Sequence, residues 1–300
     1  MRKSTTVTRL FDFPYYQLQN YPQEKCFVYK ENNQWKNIST QQYITDANTV
    51  SRALLKLGIK PGDKIAVITS LNQPKWHVLD IGVMQIGAIN VPLYPTFSEK
   101  DYAYVLNHSD SIFCFVSDDE LYQKVSAVKS QTQLQKIFSF ENLQNESGWN
   151  QFLDLGKEQT LQPQVDTYKN AINPDDLATI IYTSGTTGTP KGVMLSHHNI
   201  LSNVLAVGKR LNLHDNKKIA ISYLPISHIF ERAAGYYCQY MGFEIYFAES
   251  IDKIGDNLKE VHPNFMAVVP RLLEKVFDKI VDKGSQLSGI KKQLFFWSLK

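Results

Sequence analysis

Short apolar runs alternate with helical patterns along most of this 300-residue chain, and that alternation most constrains its fold. The runs have the length of strands that are buried on both faces, as strands of a parallel sheet are. Parallel neighbours need a crossover, usually a helix, so the pattern predicts an α/β fold with mostly parallel sheets flanked by helices. The predicted strands are 64–69, 90–93, 112–116, 177–182, 219–223, 244–247 and 265–269.

The predicted helices follow from apolar residues at helical spacing and from residues that start or stop a helix. Ser39 and Gln42 form a capping box before a helix whose apolar stripe ends near Leu57. Further helices are predicted at 74–85, 98–108, 198–210, 232–241 and 271–283, and 294–299 lies in another. Residues 139–173 are rich in Gln and Asn, which predicts a long surface excursion or a link. We therefore predict two α/β subdomains, 1–170 and 171–300.

Composition argues against several classes of protein. Apolar residues make up 43% of the chain, enough for a substantial core, and a net charge of +3 does not suggest a nucleic-acid-binding protein. Cys26, Cys114 and Cys238 lie far apart, so a disulfide scaffold, a thiolate zinc site and a dithiol redox motif are not expected. No apolar run approaches the roughly 20 residues of a membrane span, and the N-terminus has no signal-peptide pattern. We predict a cytoplasmic protein that binds no nucleic acid.

The segment 183–192 follows a predicted buried strand and combines hydroxyl residues, glycines and one lysine. Glycines let backbone N–H groups approach phosphate oxygens, and hydroxyls donate hydrogen bonds or ligate Mg²⁺. An ordinary polar hairpin has a similar composition, but the whole ordered string after a buried strand favours a phosphate-binding loop. Pro190 precedes Lys191 and Gly192 follows it, which departs from the Walker A pattern. A P-loop hydrolase or kinase is therefore disfavoured.

Residues 182–193, YTSGTTGTPKGV, resemble the AMP-binding signature of the adenylate-forming enzymes. That superfamily includes acyl-CoA synthetases, adenylation domains of peptide synthetases and firefly luciferase. Residues 224–232, LPISHIFER, and 269–276, VPRLLEKV, are similar to segments of long-chain fatty acyl-CoA synthetases. The resemblance covers nearly the whole chain and is weakest across 118–170. It implies the N-terminal part of the acyl-adenylate-forming fold, without its C-terminal lid domain.

The resemblance also implies a role for each matched residue. ATP would be bound by Thr183, Ser184, Gly185, Thr186, Thr187, Gly188 and Lys191. Ser184 is the candidate Mg²⁺ ligand, and Lys191 and His228 are the candidate catalytic residues. His228 would lie near the reacting carboxylate and α-phosphate, and Phe230 would line the acyl pocket. From the residues alone, His228 and Phe230 could equally be core side chains.

Two histidine patterns raise the question of a metal site. His228 and Glu231 have HxxE spacing, and His197 and His198 are adjacent. Neither pattern has a third ligand at sensible spacing, so we do not expect a protein-bound transition metal.

The implied activity is the ATP-dependent conversion of a long-chain fatty acid to acyl-adenylate and then to acyl-CoA, with ATP, Mg²⁺ and CoA taking part. Such substrates partition into bilayers, so peripheral membrane contact is compatible with the sequence, although no anchor is visible. The sequence does not indicate chain-length preference or oligomeric state. Two alternatives stay open: an adenylating ligase for another carboxylic acid or for an acyl-carrier-protein acceptor, and a non-catalytic nucleotide- or lipid-binding module.

In the family, further segments follow the AMP-binding signature, and residues 193–300 are the part of this chain that could hold them. These further segments are a Tyr-Gly-x-Thr-Glu-like stretch whose glutamate holds Mg²⁺, a Thr-Gly-Asp stretch that holds the ribose, and a lid lysine. None is found there. We therefore expect these 300 residues to be an N-terminal fragment of the enzyme that is inactive alone.

Overall fold

The computed structural model describes residues 6–142, 148–184, 189–211 and 218–299, with Ser184 described by its backbone alone. These residues fall into two compact units, Met1–Phe265 and Met266–Lys300. Their strands are β1 (Phe27–Glu31), β2 (Gln34–Ile38), β3 (Lys64–Ile68), β4 (Ile89–Leu93), β5 (Ser111–Val116), β6 (Lys136–Ser139), β7 (Leu177–Ser184), β8 (Pro190–Ser196), β9 (Ile219–Ser222), β10 (Glu244–Phe247) and β11 (Phe265–Met266).

The helices of the same residues are α1 (Phe13–Asn20), α2 (Thr40–Lys56), α3 (Pro74–Met84), α4 (Glu99–His108), α5 (Asp119–Val128), α6 (Trp149–Leu155), α7 (Gln162–Ala171), α8 (His197–Arg210), α9 (Ile229–Met241), α10 (Ile254–Val261), α11 (Pro270–Ser285) and α12 (Gly289–Ser298). None of the described helices is both long enough and apolar enough to span a membrane.

The strands form two sheets. The six-stranded sheet has the order β6-β5-β3-β4-β7-β8, and the five-stranded sheet has the order β11-β9-β10-β1-β2. In the first sheet β8 runs antiparallel to β7, whereas β3 to β7 run parallel to one another. In the second, β2 is antiparallel to β1, and β1, β10 and β9 are parallel. The predicted α/β class with mostly parallel sheets is confirmed.

The two faces of β3 pack into different apolar clusters, which defines the layers. Ile65 and Val67 join a large core that includes residues of α2, α3, α9 and the five-stranded sheet. Ala66 and Ile68 point the other way, into a smaller cluster under α4 and α5. Helices α2, α3 and α9 therefore fill the space between the two sheets.

Neither sheet is confined to one side of the boundary that we predicted between residues 170 and 171. Strands β1 and β2 come from the first part of the chain but pair within the sheet that holds β9, β10 and β11. Conversely, β7 and β8 lie beyond residue 170 but complete the six-stranded sheet.

The stretch 139–173, predicted to be a long surface excursion or a link, contains helices that the sequence did not indicate. This stretch contains α6 and α7, and both helices pack on α2. Trp149 and Phe152 are buried, and both contact the ring of Phe115 edge-on, while Phe152 also contacts the ring of Phe138. The apolar residues of α6 extend over only two turns, which is too short a pattern to indicate a helix, yet they are enough to bury one of its faces.

The capping box predicted before α2 is half formed. The Ser39 hydroxyl accepts a hydrogen bond from the Gln42 backbone N–H at 3.1 Å, as expected of an N-cap. The Gln42 side chain does not return to Ser39 and instead donates to Asp46 at 2.7 Å. The helix begins where predicted because the Ser39 hydroxyl alone satisfies the free backbone N–H of Gln42.

Candidate functional site

The predicted phosphate loop falls between β7 and β8, which pair as an antiparallel hairpin. Gly185, Thr186, Thr187 and Gly188, with the side chain of Ser184, lie outside the described residues, so their predicted contacts stay predictions. One pair before the end of the described hairpin, Thr183 pairs with Lys191. Side chains of directly opposed residues lie on the same face of a sheet, and both of these are exposed. The hairpin thus presents a hydroxyl and an ammonium group together, next to the loop.

The neighbouring pair, Tyr182 and Gly192, determines which face that is. Tyr182 is buried in the cluster under α4 and α5, and its hydroxyl lies 2.7 Å from Nδ1 of His108. A Cβ on Gly192 would lie 2.8 Å from Cγ2 of Ile180 and 3.2 Å from Cζ of Tyr182, so only glycine leaves room for this ring. Because successive side chains alternate, Thr183 and Lys191 point away from that cluster.

The loop and the 224–232 segment both follow the carboxyl ends of parallel strands. Strands β3 to β7 share one direction, so the turns after them lie along one edge of the six-stranded sheet. Asn72, which follows β3, donates from Nδ2 to the Ser222 hydroxyl at the end of β9 at 2.7 Å. This bond joins the carboxyl edges of the two sheets. Open α/β sheets bind ligands at that edge.

His228 is the N-cap of α9, and its Nδ1 accepts the Phe230 backbone N–H at 3.2 Å. Its side chain is exposed and not packed in the core. Phe230 is 46% exposed, so it too is not a core aromatic. Both side chains are therefore available to a ligand, and their roles in catalysis and acyl binding stay predictions.

A buried carboxylate beside this segment escaped prediction from the sequence. Glu231 is 4% exposed, and its Oε1 accepts from the Ser222 hydroxyl at 2.5 Å and from Asn72 Nδ2 at 3.3 Å. Burial raises the pKa of Glu231 to about 7. Hydrogen bonds from Ser222 and from the Tyr223 backbone lower this pKa, but burial has the larger effect. The only sequence signal was its HxxE spacing from His228, and the structure puts this carboxylate in a hydrogen-bonded cluster instead.

The next residue, Arg232, anchors α9 to α3. Its Nη2 donates to Oδ1 of Asp80 at 2.6 Å, and both side chains are fully buried. Asp80 also accepts from Asn90 Nδ2 at 2.8 Å and from the Tyr236 hydroxyl. Arg232 is thus neutralised by Asp80 and leaves Glu231 without a cation among the described residues.

Two cavities lie away from the predicted site. One of about 550 Å³ is lined by residues of the five-stranded sheet and α10, including Lys25, Trp35 and Glu260. The other, of about 310 Å³, lies where β4 and β7 start, at the opposite edge from the phosphate loop. The predicted residues Thr183, Lys191, His228 and Phe230 line neither cavity.

The adjacent histidines have different surroundings. The buried ring of His197 accepts the Leu10 backbone N–H on Nδ1 at 3.2 Å, and burial lowers its pKa to about 4. His198 is exposed. Across the part of the chain that the structure describes, no three His, Cys, Asp or Glu side chains gather as a metal site.

The sequence pattern of the AMP-binding enzyme family matches residues 15–297. The chain belongs to this family. Among curated members, it is 32% identical over 282 residues to the long-chain-fatty-acid–CoA ligase ACSBG2 of Xenopus laevis, a match covering 90% of this chain and 38% of that protein. It is also 32% identical to fatty acyl-CoA synthetase A of Dictyostelium discoideum, covering 88% of this chain and 40% of that protein. The resemblance found in the sequence is confirmed, and the chain spans about two fifths of these relatives.

Solved structures of a long-chain-fatty-acid–CoA ligase and of VinN have the same fold. The long-chain-fatty-acid–CoA ligase FadD1 of Archaeoglobus fulgidus superimposes with a TM-score of 0.77 at 19% identity, over 93% of this chain and 54% of that chain. VinN, solved with L-aspartate, superimposes with a TM-score of 0.70 at 19% identity, over 92% of this chain and 66% of that chain. At this identity the likeness concerns the fold alone, and it confirms the predicted N-terminal acyl-adenylate-forming architecture.

Proposed function

We propose that the whole protein to which these residues belong is an ATP-dependent ligase that converts a long-chain fatty acid to its acyl-CoA. The observation that carries the proposal is the hairpin that presents Thr183 and Lys191 beside the AMP-binding signature at a carboxyl sheet edge. The names of the relatives supply the substrate class, since they are long-chain-fatty-acid and fatty acyl-CoA ligases.

The proposed reaction has two steps. A carboxylate oxygen attacks the α-phosphorus of MgATP, the bond to the β-phosphate breaks, and magnesium pyrophosphate leaves. The thiolate of CoA then attacks the acyl carbon, and the carbon–oxygen bond to AMP breaks. Little proton transfer is needed in the first step, so positioning two anions and stabilising the developing charge supply most of the rate. Lys191 contributes a positive charge and Thr183 a hydroxyl donor to the leaving pyrophosphate.

The test is pyrophosphate release by the purified whole protein with palmitate, acetate, benzoate or aspartate as the acid. We expect release with palmitate, and palmitoyl-CoA once CoA is added. Preference for any of the other acids would contradict the long-chain assignment and leave the adenylation chemistry standing. Release with none of them would favour a non-catalytic nucleotide- or lipid-binding module.

A second candidate is an adenylating ligase for another carboxylic acid, with CoA or a carrier protein as acceptor. It is favoured by the fold shared with VinN, which was solved with an amino acid bound. Phe230 distinguishes the two candidates because a half-exposed aromatic side chain suits an aliphatic chain better than a charged amino acid. We expect Phe230→Asp to raise the KM for palmitate and leave the KM for ATP unchanged.

A further inference from the structure

The cluster of Asn72, Ser222 and Glu231 links three separate parts of the chain. Ser222 ends β9, Glu231 lies in the first turn of α9, and Asn72 lies between β3 and α3. Every pair among the three is hydrogen-bonded, at 2.5 Å for Ser222–Glu231, 2.7 Å for Asn72–Ser222 and 3.3 Å for Asn72–Glu231. All three side chains are buried.

This cluster closes the ends of the turn that carries His228. Ser222 precedes the turn and Glu231 follows it, so their bond ties the two ends together. Inside the turn the His228 backbone N–H donates to the Pro225 carbonyl at 3.0 Å. The His228 ring is then fixed by the Phe230 N–H, one residue before Glu231. The turn that carries the exposed imidazole is therefore closed by a buried carboxylate three positions after His228.

Stability alone does not account for a carboxylate at this place. Among the described residues no cation pairs with Glu231, because the neighbouring guanidinium of Arg232 binds Asp80. A buried carboxylate without a cation is energetically unfavourable, and an apolar residue of similar volume often serves stability better. Groups of this kind gather at functional sites.

We propose that Glu231 is a positioning residue that, through Ser222 and Asn72, holds His228 in place at the joined carboxyl edges of the two sheets. The part of this proposal that concerns what His228 contacts, the reacting carboxylate and α-phosphate, rests on the proposed function. The alternative is that Glu231 only favours the start of α9 as an acidic residue in the first helical turn.

The first test measures amide hydrogen exchange by NMR on the 300-residue chain, which needs no activity. We expect Glu231→Ala to speed exchange at Phe230 and His228 at least about tenfold, since it removes the acceptor that closes the turn. Amides of α3 around Asp80 serve as the internal control and should not change. Glu231→Gln keeps an acceptor oxygen and should restore slow exchange. If Glu231→Ala does not fold, Ser222→Ala replaces it and should show a smaller increase at the same amides.

The second test is a double-mutant cycle in the whole protein, scored by pyrophosphate release. If Glu231 acts through His228, then Glu231→Ala should lower kcat about tenfold or more, and in the His228→Ala background it should cause no further loss. Equal losses of kcat in the wild-type and His228→Ala backgrounds would assign Glu231 a purely structural role and overturn the proposal. An unchanged rate of amide hydrogen exchange at Phe230 in Glu231→Ala would overturn it as well. If His228→Ala alone kept full activity, the proposed role of His228 would fail, and the exchange result would still decide whether Glu231 fixes the turn.

Discussion

Lys191 places one positive charge on an exposed part of β8, and its side chain has no hydrogen bond or ion pair among the described residues. Lys191→Ala should therefore leave the melting temperature nearly unchanged. It should lower the rate of pyrophosphate release by the whole protein about 10²–10³-fold. In other enzymes, this is the usual effect of removing one hydrogen-bond donor to an oxygen that gains charge in the transition state. Thr187→Val should lower the rate less, through one lost hydroxyl.

The matched control for Lys191 is Lys136→Ala, since Lys136 is an exposed lysine at the amino end of β6, away from the loop. We expect that variant to keep full activity. Wild-type release by Lys191→Ala would rule out the loop as the phosphate site. Unfolding by Lys191→Ala would instead make Lys191 part of an ordinary structural turn.

Glu231 should make stability depend on pH in an unusual direction. Its pKa rises from an ordinary 4.5 to about 7 in the folded protein, so the folded state binds a proton more readily than the unfolded state. The contribution of Glu231 to stability is therefore lost as the pH rises from about 4.5 to 7. Glu231→Gln removes this dependence. Its unfolding free energy should match wild type near pH 4.5 and exceed it by about 3 kcal/mol above pH 7.

Urea denaturation at several pH values checks this expectation, with the exposed Glu24→Gln as control. A constant difference between Glu231→Gln and wild type across that range would contradict the raised pKa. The exchange tests of the positioning role do not depend on this outcome, because they compare the presence of an acceptor and not its charge.

A phosphate-binding loop could be proposed from the sequence because the residue types that such a loop needs are contiguous: a buried strand, then glycines, hydroxyls and a lysine. The cluster at Glu231 could not be. Asn72 and Ser222 are 150 positions apart, and their bond exists only because two sheets pack with their carboxyl edges together. The exposure of His228 likewise depends on where α9 begins, which the sequence leaves open by a few residues.

At the scale of elements, prediction succeeded where one strand or helix carries its whole pattern. Strands β3, β5 and β7 are continuous apolar runs, and the boundaries differ from those predicted by only one or two residues. Strand β2 has a mixed polar surface with no buried residue, so no alternation reveals it. It forms because its backbone pairs with one edge of β1, and the other edge of β1 pairs with β10.

Two glycine substitutions should have opposite effects on stability, one where α3 packs on α2 and one in α10. A Cβ on Gly82 would lie 2.4 Å from Cγ1 of Val50 and 2.9 Å from the Ala47 carbonyl oxygen. Gly82→Ala should therefore lower the unfolding free energy by about 1–3 kcal/mol, despite the better helix propensity of alanine. Gly255 in α10 has no neighbour within 4 Å of such a Cβ, so Gly255→Ala should be neutral or stabilising by up to about 1 kcal/mol. Chemical denaturation of both variants decides; a stable Gly82→Ala would mean that the two helices can move apart.

For the molecule as a whole, we expect the 300-residue chain alone to form no acyl-adenylate. The segments that the family resemblance assigns to Mg²⁺, to the ribose and to the lid are not found in it. The measurement is the formation of palmitoyl-adenylate from ATP and palmitate by the purified chain. Product at a rate comparable to the whole protein would show that residues 1–300 contain every essential group.

The unit Met266–Lys300 should make that chain self-associate. Leu273, Phe277 and Ile280 recur at helical spacing on α11 and are all exposed, which gives this helix an uncovered apolar face. Sedimentation should shift with protein concentration for the chain, and Leu273→Lys with Phe277→Glu should abolish that shift. The control is the double variant Lys275→Glu with Lys279→Glu, which changes charges outside that apolar face and should leave the concentration-dependent shift in sedimentation unchanged. Sedimentation as a monomer at every concentration would contradict the expectation.

The pairing of β1 with β10 also sets an order of events during synthesis. Lys30 at the end of β1 bonds to Glu249, 219 positions later, whereas the whole six-stranded sheet lies within a continuous stretch from β3 to β8. At about 5–20 residues per second, a ribosome needs on the order of 10–45 s to add those positions. Throughout that interval β1 presents an open backbone edge, the kind of surface that chaperones cover and that neighbouring nascent chains can join. A ribosome that stalls after β8 and before β10 would therefore carry a chain whose six-stranded sheet is complete but whose β1–β2 hairpin still lacks its partner strand β10.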